Sequence, residues 1–104
     1  MSTITISQEE LFKLLNMMKP FVKRYTKKKA IGIMLEVSIE KGTIFMSILN
    51  CKTNYKCETT GTGKFSMQFL YFYEIIKFSK DKMVTISIAE NKMTVGQTSF
   101  KVIT

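Results

Sequence analysis

Thr3-Ile4-Thr5-Ile6-Ser7-Gln8-Glu9-Glu10-Leu11-Phe12-Lys13-Leu14-Leu15 changes its hydrophobic period halfway along. Ile4 and Ile6 alternate with polar residues, the period-two pattern of a strand with one buried face. After Ser7 the period lengthens. Leu11, Leu15, Met18 and Val22 recur at spacings of four, three and four, with Leu14 and Phe21 flanking, which is a core-facing helical stripe. Ser7 is placed as the N-cap, with Glu9 and Glu10 in the first turn, where carboxylates favour the helix dipole. Glu10, three residues on, completes a capping box. A short strand leading directly into a helix of about Gln8 to Tyr25 is the expectation. Pro20 lies inside that helix, where it removes a hydrogen bond and predicts a kink or two shorter segments.

Outward from this stretch the chain alternates. Ala30–Glu40 places Ile31, Ile33, Leu35, Val37 and Ile39 on one face, a long half-buried strand. Lys41-Gly42 is a turn, and Thr43–Asn50 returns as a second strand. A third, about Asn54–Thr60, carries Tyr55 and Cys57, and Gly61-Thr62-Gly63 breaks the chain. Lys64–Met67 reads as a brief extended entry to a second helix, Gln68–Ser79, with Phe69, Phe72, Tyr73 and Ile76 on one face. Strands at Met83–Ala89, Lys92–Val95 and Thr98–Ile103 follow, joined by tight turns at Glu90-Asn91 and Gly96-Gln97. The order is β-α-βββ-α-βββ. The two halves share a plan without a residue-level repeat. The class is α+β, with two helices packed on antiparallel sheet in one domain, residues 1–104.

Composition narrows the function. Sixteen basic residues against eight acidic ones give a formal charge of +8, and all the basic residues but Arg24 are lysine. That balance favours polyanion partners. Lysine suits sequence-blind phosphate contact, whereas arginine is the commoner reader of guanine edges. With no histidine, one aspartate, seven scattered glutamates and no glycine-rich phosphate loop, nothing supports an enzyme. Cys51 and Cys57 make a poor zinc site without further ligands and read as free structural thiols in a reducing compartment. No cofactor or metal is implied. No apolar run approaches the roughly 20 residues of a membrane span, and the N-terminus lacks the features of a signal peptide, so a cytoplasmic protein with no membrane partner is the expectation.

The candidate binding surface is the polar face and C-terminal end of the first helix. Lys13, Asn16, Lys23 and Lys27 fall on one stripe opposite the core, and Lys19, Arg24, Lys28 and Lys29 widen it. Six of the eleven residues from Lys19 to Lys29 are basic, a clustering that suits phosphate tracking. Lys77 and Lys80 of the second helix are placed on the same surface. Tyr73 is expected to pack and Tyr71 to be exposed. Met34 and Phe45, on the strand faces opposite the main alternation, mark either a second apolar layer or a protein interface.

The order and spacing of three stretches resemble one domain of the bacterial replicative sliding clamp, the beta subunit of DNA polymerase III. They are Thr3–Leu15, Gly42–Asn50, and Gly63–Lys77 with the strands Val84–Ile88, Lys92–Gly96 and Ser99–Ile103 that follow. The resemblance covers essentially the whole chain. It implies a processivity factor in DNA replication: a ring of six such domains, helices lining the hole and sheets outside. The partners it implies are duplex DNA without sequence preference, further copies of this chain in a homo-oligomer, and replication proteins. The compact chain fits a clamp-like protein of a phage, plasmid or other mobile element. The chain departs from the family in two ways. One domain cannot encircle DNA alone, and known clamps are acidic overall with a basic hole. Six copies at +8 each would carry +48, which opposes assembly without DNA. The alternative is a monomeric or dimeric clamp-fold interaction protein that binds or modulates a replication or other nucleic-acid-processing protein.

Overall fold

The computed structural model describes residues 2–23, 32–49, 51–96 and 98–103. The opening stretch forms as its periodicity predicts: strand β1 is Ser2–Ser7 and helix α1 is Gln8–Lys23. The Glu10 amide donates to Ser7 Oγ at 3.4 Å, so Ser7 caps the helix. Leu11, Leu14, Leu15, Met18 and Val22 are buried. Pro20 does not divide α1, which runs as one helix to Lys23. Its ring is on the exposed side, where the Asn16 carbonyl it leaves unpaired can take water.

The remaining elements are β2 (Met34–Glu40), β3 (Thr43–Ile48), β4 (Cys51–Lys56), β5 (Glu58–Thr60), β6 (Gly63–Gln68), α2 (Phe69–Lys77), β7 (Met83–Ala89), β8 (Lys92–Val95) and β9 (Thr98–Lys101). All strand pairings among the described residues are antiparallel. The antiparallel sheet expected from the sequence is divided in two. One sheet has the order β5-β1-β7-β8-β9, the other β4-β3-β2-β6.

The division occurs at Cys57. The expected single strand from Asn54 to Thr60 is two strands, with β4 in one sheet and β5 in the other. The Lys41-Gly42 turn holds the crossing point. The Cys57 amide donates to the Gly42 carbonyl at 3.0 Å. The Thr59 hydroxyl donates to the Glu40 carbonyl and accepts from the Gly42 amide, at 3.0 and 2.8 Å. Gly42 has a φ of 75°, the left-handed region that glycine occupies without strain. The brief extended entry at Lys64–Met67 is a six-residue strand, β6, paired with β2 along its length.

An internal two-fold plan results. β1 lies between β5 of its own half and β7 of the other. β6 lies between β2 of the other half and a single bridge from Ser66 to Ile103, made by two backbone hydrogen bonds of 2.7 and 3.0 Å. Each sheet takes strands from both halves, so neither half can complete its own sheet. The two helices cover the inner faces. Ile4, Ile6, Leu35, Val37, Ile39, Ile44, Met46 and Ile86 of the strands meet Leu15, Met18, Phe69, Phe72 and Ile76 of the helices in one buried cluster. The sheet edges without a partner strand among the described residues include β4 and β9, which correspond under the two-fold plan.

Candidate nucleic-acid interface

The two helices form one layer and run antiparallel. At one end, the Gln8 side-chain amide donates to the Ile76 carbonyl at 2.8 Å, so the start of α1 caps the last turn of α2. Further along, Tyr73 of α2 is held by three residues of α1. Its hydroxyl donates to Asn16 Oδ1 at 2.7 Å. Its ring lies 5.2 Å from that of Phe12, centroid to centroid. The Lys19 ammonium sits 4.2 Å from the ring centre, a cation–π contact. Tyr73 is 4% exposed, so the phenol needs the partner it has. As read from the sequence, Tyr73 packs. The sequence did not reveal that Tyr73 fixes Asn16 and Lys19 on the seam between the helices, because that contact joins residues 57 positions apart.

This seam sorts the candidate binding residues. Asn16, Lys13 and Lys23 are exposed on α1, and Lys19 is half-buried. The Lys13 ammonium lies 3.8 Å from both the Glu9 and the Glu10 carboxylates. These are exposed pairs of small stability value, but they offset the positive charge at the start of the helix. Met17, 60% exposed, interrupts the polar stripe. Positive charge therefore concentrates toward the end of α1, at Lys19 and Lys23, where a cation also complements the helix dipole. Arg24, Lys27, Lys28 and Lys29, which continue the run, lie outside the described residues.

Lys77 and Lys80 are exposed beyond the other end of the layer. Because the helices are antiparallel, these lysines lie toward the start of α1, and Lys77 sits 5.5 Å over the Phe78 ring. They are on the same helical layer as Lys23, toward its other end, with α1 about 24 Å long at ~1.5 Å per residue. Tyr71 is exposed and edge-on to Phe100, with ring centres 5.3 Å apart. Met34 and Phe45 are exposed on the outer face of their sheet, at 38% and 39%. Cys51 and Cys57 are free and half-buried, and burial pushes the Cys57 thiol above its ordinary pKa, which disfavours the thiolate.

The Tyr73 junction has a testable cost. Tyr73→Phe removes the hydroxyl and keeps the ring. Asn16 is exposed and can be rehydrated, so the loss expected in chemical denaturation is about 1 kcal/mol, the net worth of one hydrogen bond. A loss above roughly 3 kcal/mol would mean that the seam is held by more than these contacts.

No protein-family model and no curated protein sequence matches the chain. Solved structures do. The Helicobacter pylori beta clamp in complex with 5-chloroisatin is 20% identical over 97% of this chain and 29% of its own, with a TM-score of 0.78. The DNA polymerase III beta subunit of Thermotoga maritima is 16% identical over 99% of this chain and 30% of its own, at 0.76. The Helicobacter pylori beta clamp bound to a DNA ligase peptide is 18% identical over 97% and 30%, at 0.74. The chain thus spans about three tenths of the length of the clamps it matches. The nine strands, the two-helix layer and the intertwined halves of the described residues give this chain the fold of a sliding-clamp domain.

Proposed function

We propose that this protein is a non-catalytic, clamp-type DNA-binding protein that contacts duplex DNA without sequence preference through the helical layer and assembles with further copies of itself through its free sheet edges. The observation that carries the reading is the exposed end of α1. Lys23, exposed, and Lys19, half-buried over Tyr73, stand on a helix whose other face is buried, and they lead into the basic run Arg24, Lys27, Lys28 and Lys29. Lysines on a helix face neutralise phosphates and release counterions without reading bases. Lys77 and Lys80 supply a second set of contacts at the far end of the layer. The edges β4 and β9, without a partner strand among the described residues, carry the assembly reading, because an unpaired strand is a template for another strand. DNA would offset the mutual repulsion of copies that each carry +8. Replication proteins are the partner class that the clamp fold suggests, in a cytoplasmic setting.

Binding is expected to fall steeply with salt. The logarithm of affinity should drop by ~0.9 per phosphate neutralised for each unit in the logarithm of salt concentration, with little difference between unrelated duplexes. Titration of labelled duplexes of different sequence over a range of salt measures both. A single preferred sequence that survives high salt would contradict the reading.

A second reading, a clamp-fold module that docks onto another protein, is favoured by the features of the β9 edge.

A further inference from the structure

The edge of β9, which has no partner strand among the described residues, differs from its two-fold counterpart, β4, in charge. Lys92 of β8 and Lys101 of β9 are directly opposed in register, both exposed on the outer face. Like charges directly across a ladder are destabilising, and neither ammonium is paired with a carboxylate among the described residues. On β4 the lysines have uncharged residues opposite them: Lys52 faces Ser47 and Lys56 faces Thr43. Glu90 lines the same groove as Lys92 and Lys101 without pairing with either.

Beside this edge lies a cleft of mixed lining. A cavity of about 360 Å³ opens between the end of α2 and strands β7 to β9, walled by Ile75, Phe78, Val84, Val95 and Phe100. Phe78 is 70% exposed. Lys80 and Asp81 stand at the polar side of this wall. The edge therefore offers three things side by side: main chain without a partner strand among the described residues, two unneutralised lysines on the outer face, and a cleft with an apolar wall at Val95 and Phe100.

An extended strand presents alternate side chains to opposite faces. A segment that alternates carboxylates with apolar residues would match all three features. Its main chain would pair with β9, its carboxylates would lie beside Lys92 and Lys101, and its apolar side chains would enter the cleft beside Phe100. A second copy of this chain fits the charge less well, because the β4 edge it would offer carries Lys52 and Lys56. We propose that the β9 edge docks an extended acidic, amphipathic segment of a partner protein by strand addition. The inference rests on the same open edge that the assembly reading uses, so such a segment would compete with a second copy for it.

The test is fluorescence anisotropy of a labelled peptide of alternating glutamate and leucine, titrated with the full chain. A peptide of the same composition with its glutamates and leucines in separate blocks is the comparison. The alternating peptide is expected to bind in the micromolar range and the block peptide at least about tenfold more weakly. Replacing Lys92 and Lys101 together by glutamate should weaken the alternating peptide by about tenfold or more. Replacing Lys52 and Lys56 by glutamate on β4 should leave it unchanged. Circular dichroism confirms that both variants fold. Equal binding of the two peptides, or equal loss in both variants, would reduce the effect to net charge and overturn the proposal, as would absence of binding. Light scattering on the same samples separates the proposal from the assembly reading. Assembly without peptide binding overturns only the proposal, and peptide binding by a chain that also stays monomeric in peptide-free samples, with duplex DNA as without it, supports the proposal and overturns only assembly.

Discussion

Replacing Lys23, Lys27 and Lys28 together with glutamate is expected to lower affinity for duplex DNA by about a hundredfold or more at moderate salt. Each reversal removes two charges, so the formal charge falls from +8 to +2. The salt slope should flatten by about 2.7 if each lysine neutralises one phosphate, at ~0.9 per contact. Lys23 is exposed. The substitution at this position therefore costs only the favourable contact of a cation with the helix C-terminus, about 0.3–1 kcal/mol. A folded variant that has lost DNA is the expected outcome. Unchanged binding by the triple variant would remove this end of α1 from the interface.

The largest effect on stability is expected from Phe72→Ala. Phe72 is 1% exposed and meets Phe65 of β6 edge-on, with ring centres 6.5 Å apart. It joins α2 to the sheet on which β6 and β2 pair, the contact that locks one half of the chain to the other. Truncation leaves a cavity in a close-packed core and should cost about 3–5 kcal/mol. For a domain whose total stability is of the order of 5–15 kcal/mol, that is a large share. The midpoint of urea unfolding reports it directly, with the slope unchanged. A shift equivalent to less than about 1 kcal/mol would mean that the core can collapse around the missing ring and that the helix is held mainly elsewhere.

What local pattern encodes, the sequence displays. The alternation of Val84, Ile86 and Ile88 gives β7 its observed bounds, and the spacing of Leu11, Leu15, Met18 and Val22 gives α1 its buried face. Ser7 caps α1 as its hydroxyl and position require. The features that periodicity does not show are those set by distant residues. The sheet switch at Cys57 depends on Thr59 meeting Glu40 and Gly42. β6 has only two buried side chains, Phe65 and Met67, in a six-residue strand, so its pattern is too short to announce a strand that pairs with β2. The candidate site divides in the same way. The lysine run from Lys19 is visible in composition. The antiparallel packing that moves Lys77 and Lys80 to the opposite end of the layer follows from Gln8 meeting Ile76 and Asn16 meeting Tyr73, contacts between the two halves.

The most direct test of a clamp-type assembly is absolute mass in solution by light scattering, over a range of protein concentration and salt, with and without duplex DNA. A discrete multiple of the 12.0 kDa chain, favoured by DNA and near six copies, is the result predicted. A chain that stays monomeric or dimeric at every concentration, with DNA as without it, would contradict assembly into a clamp.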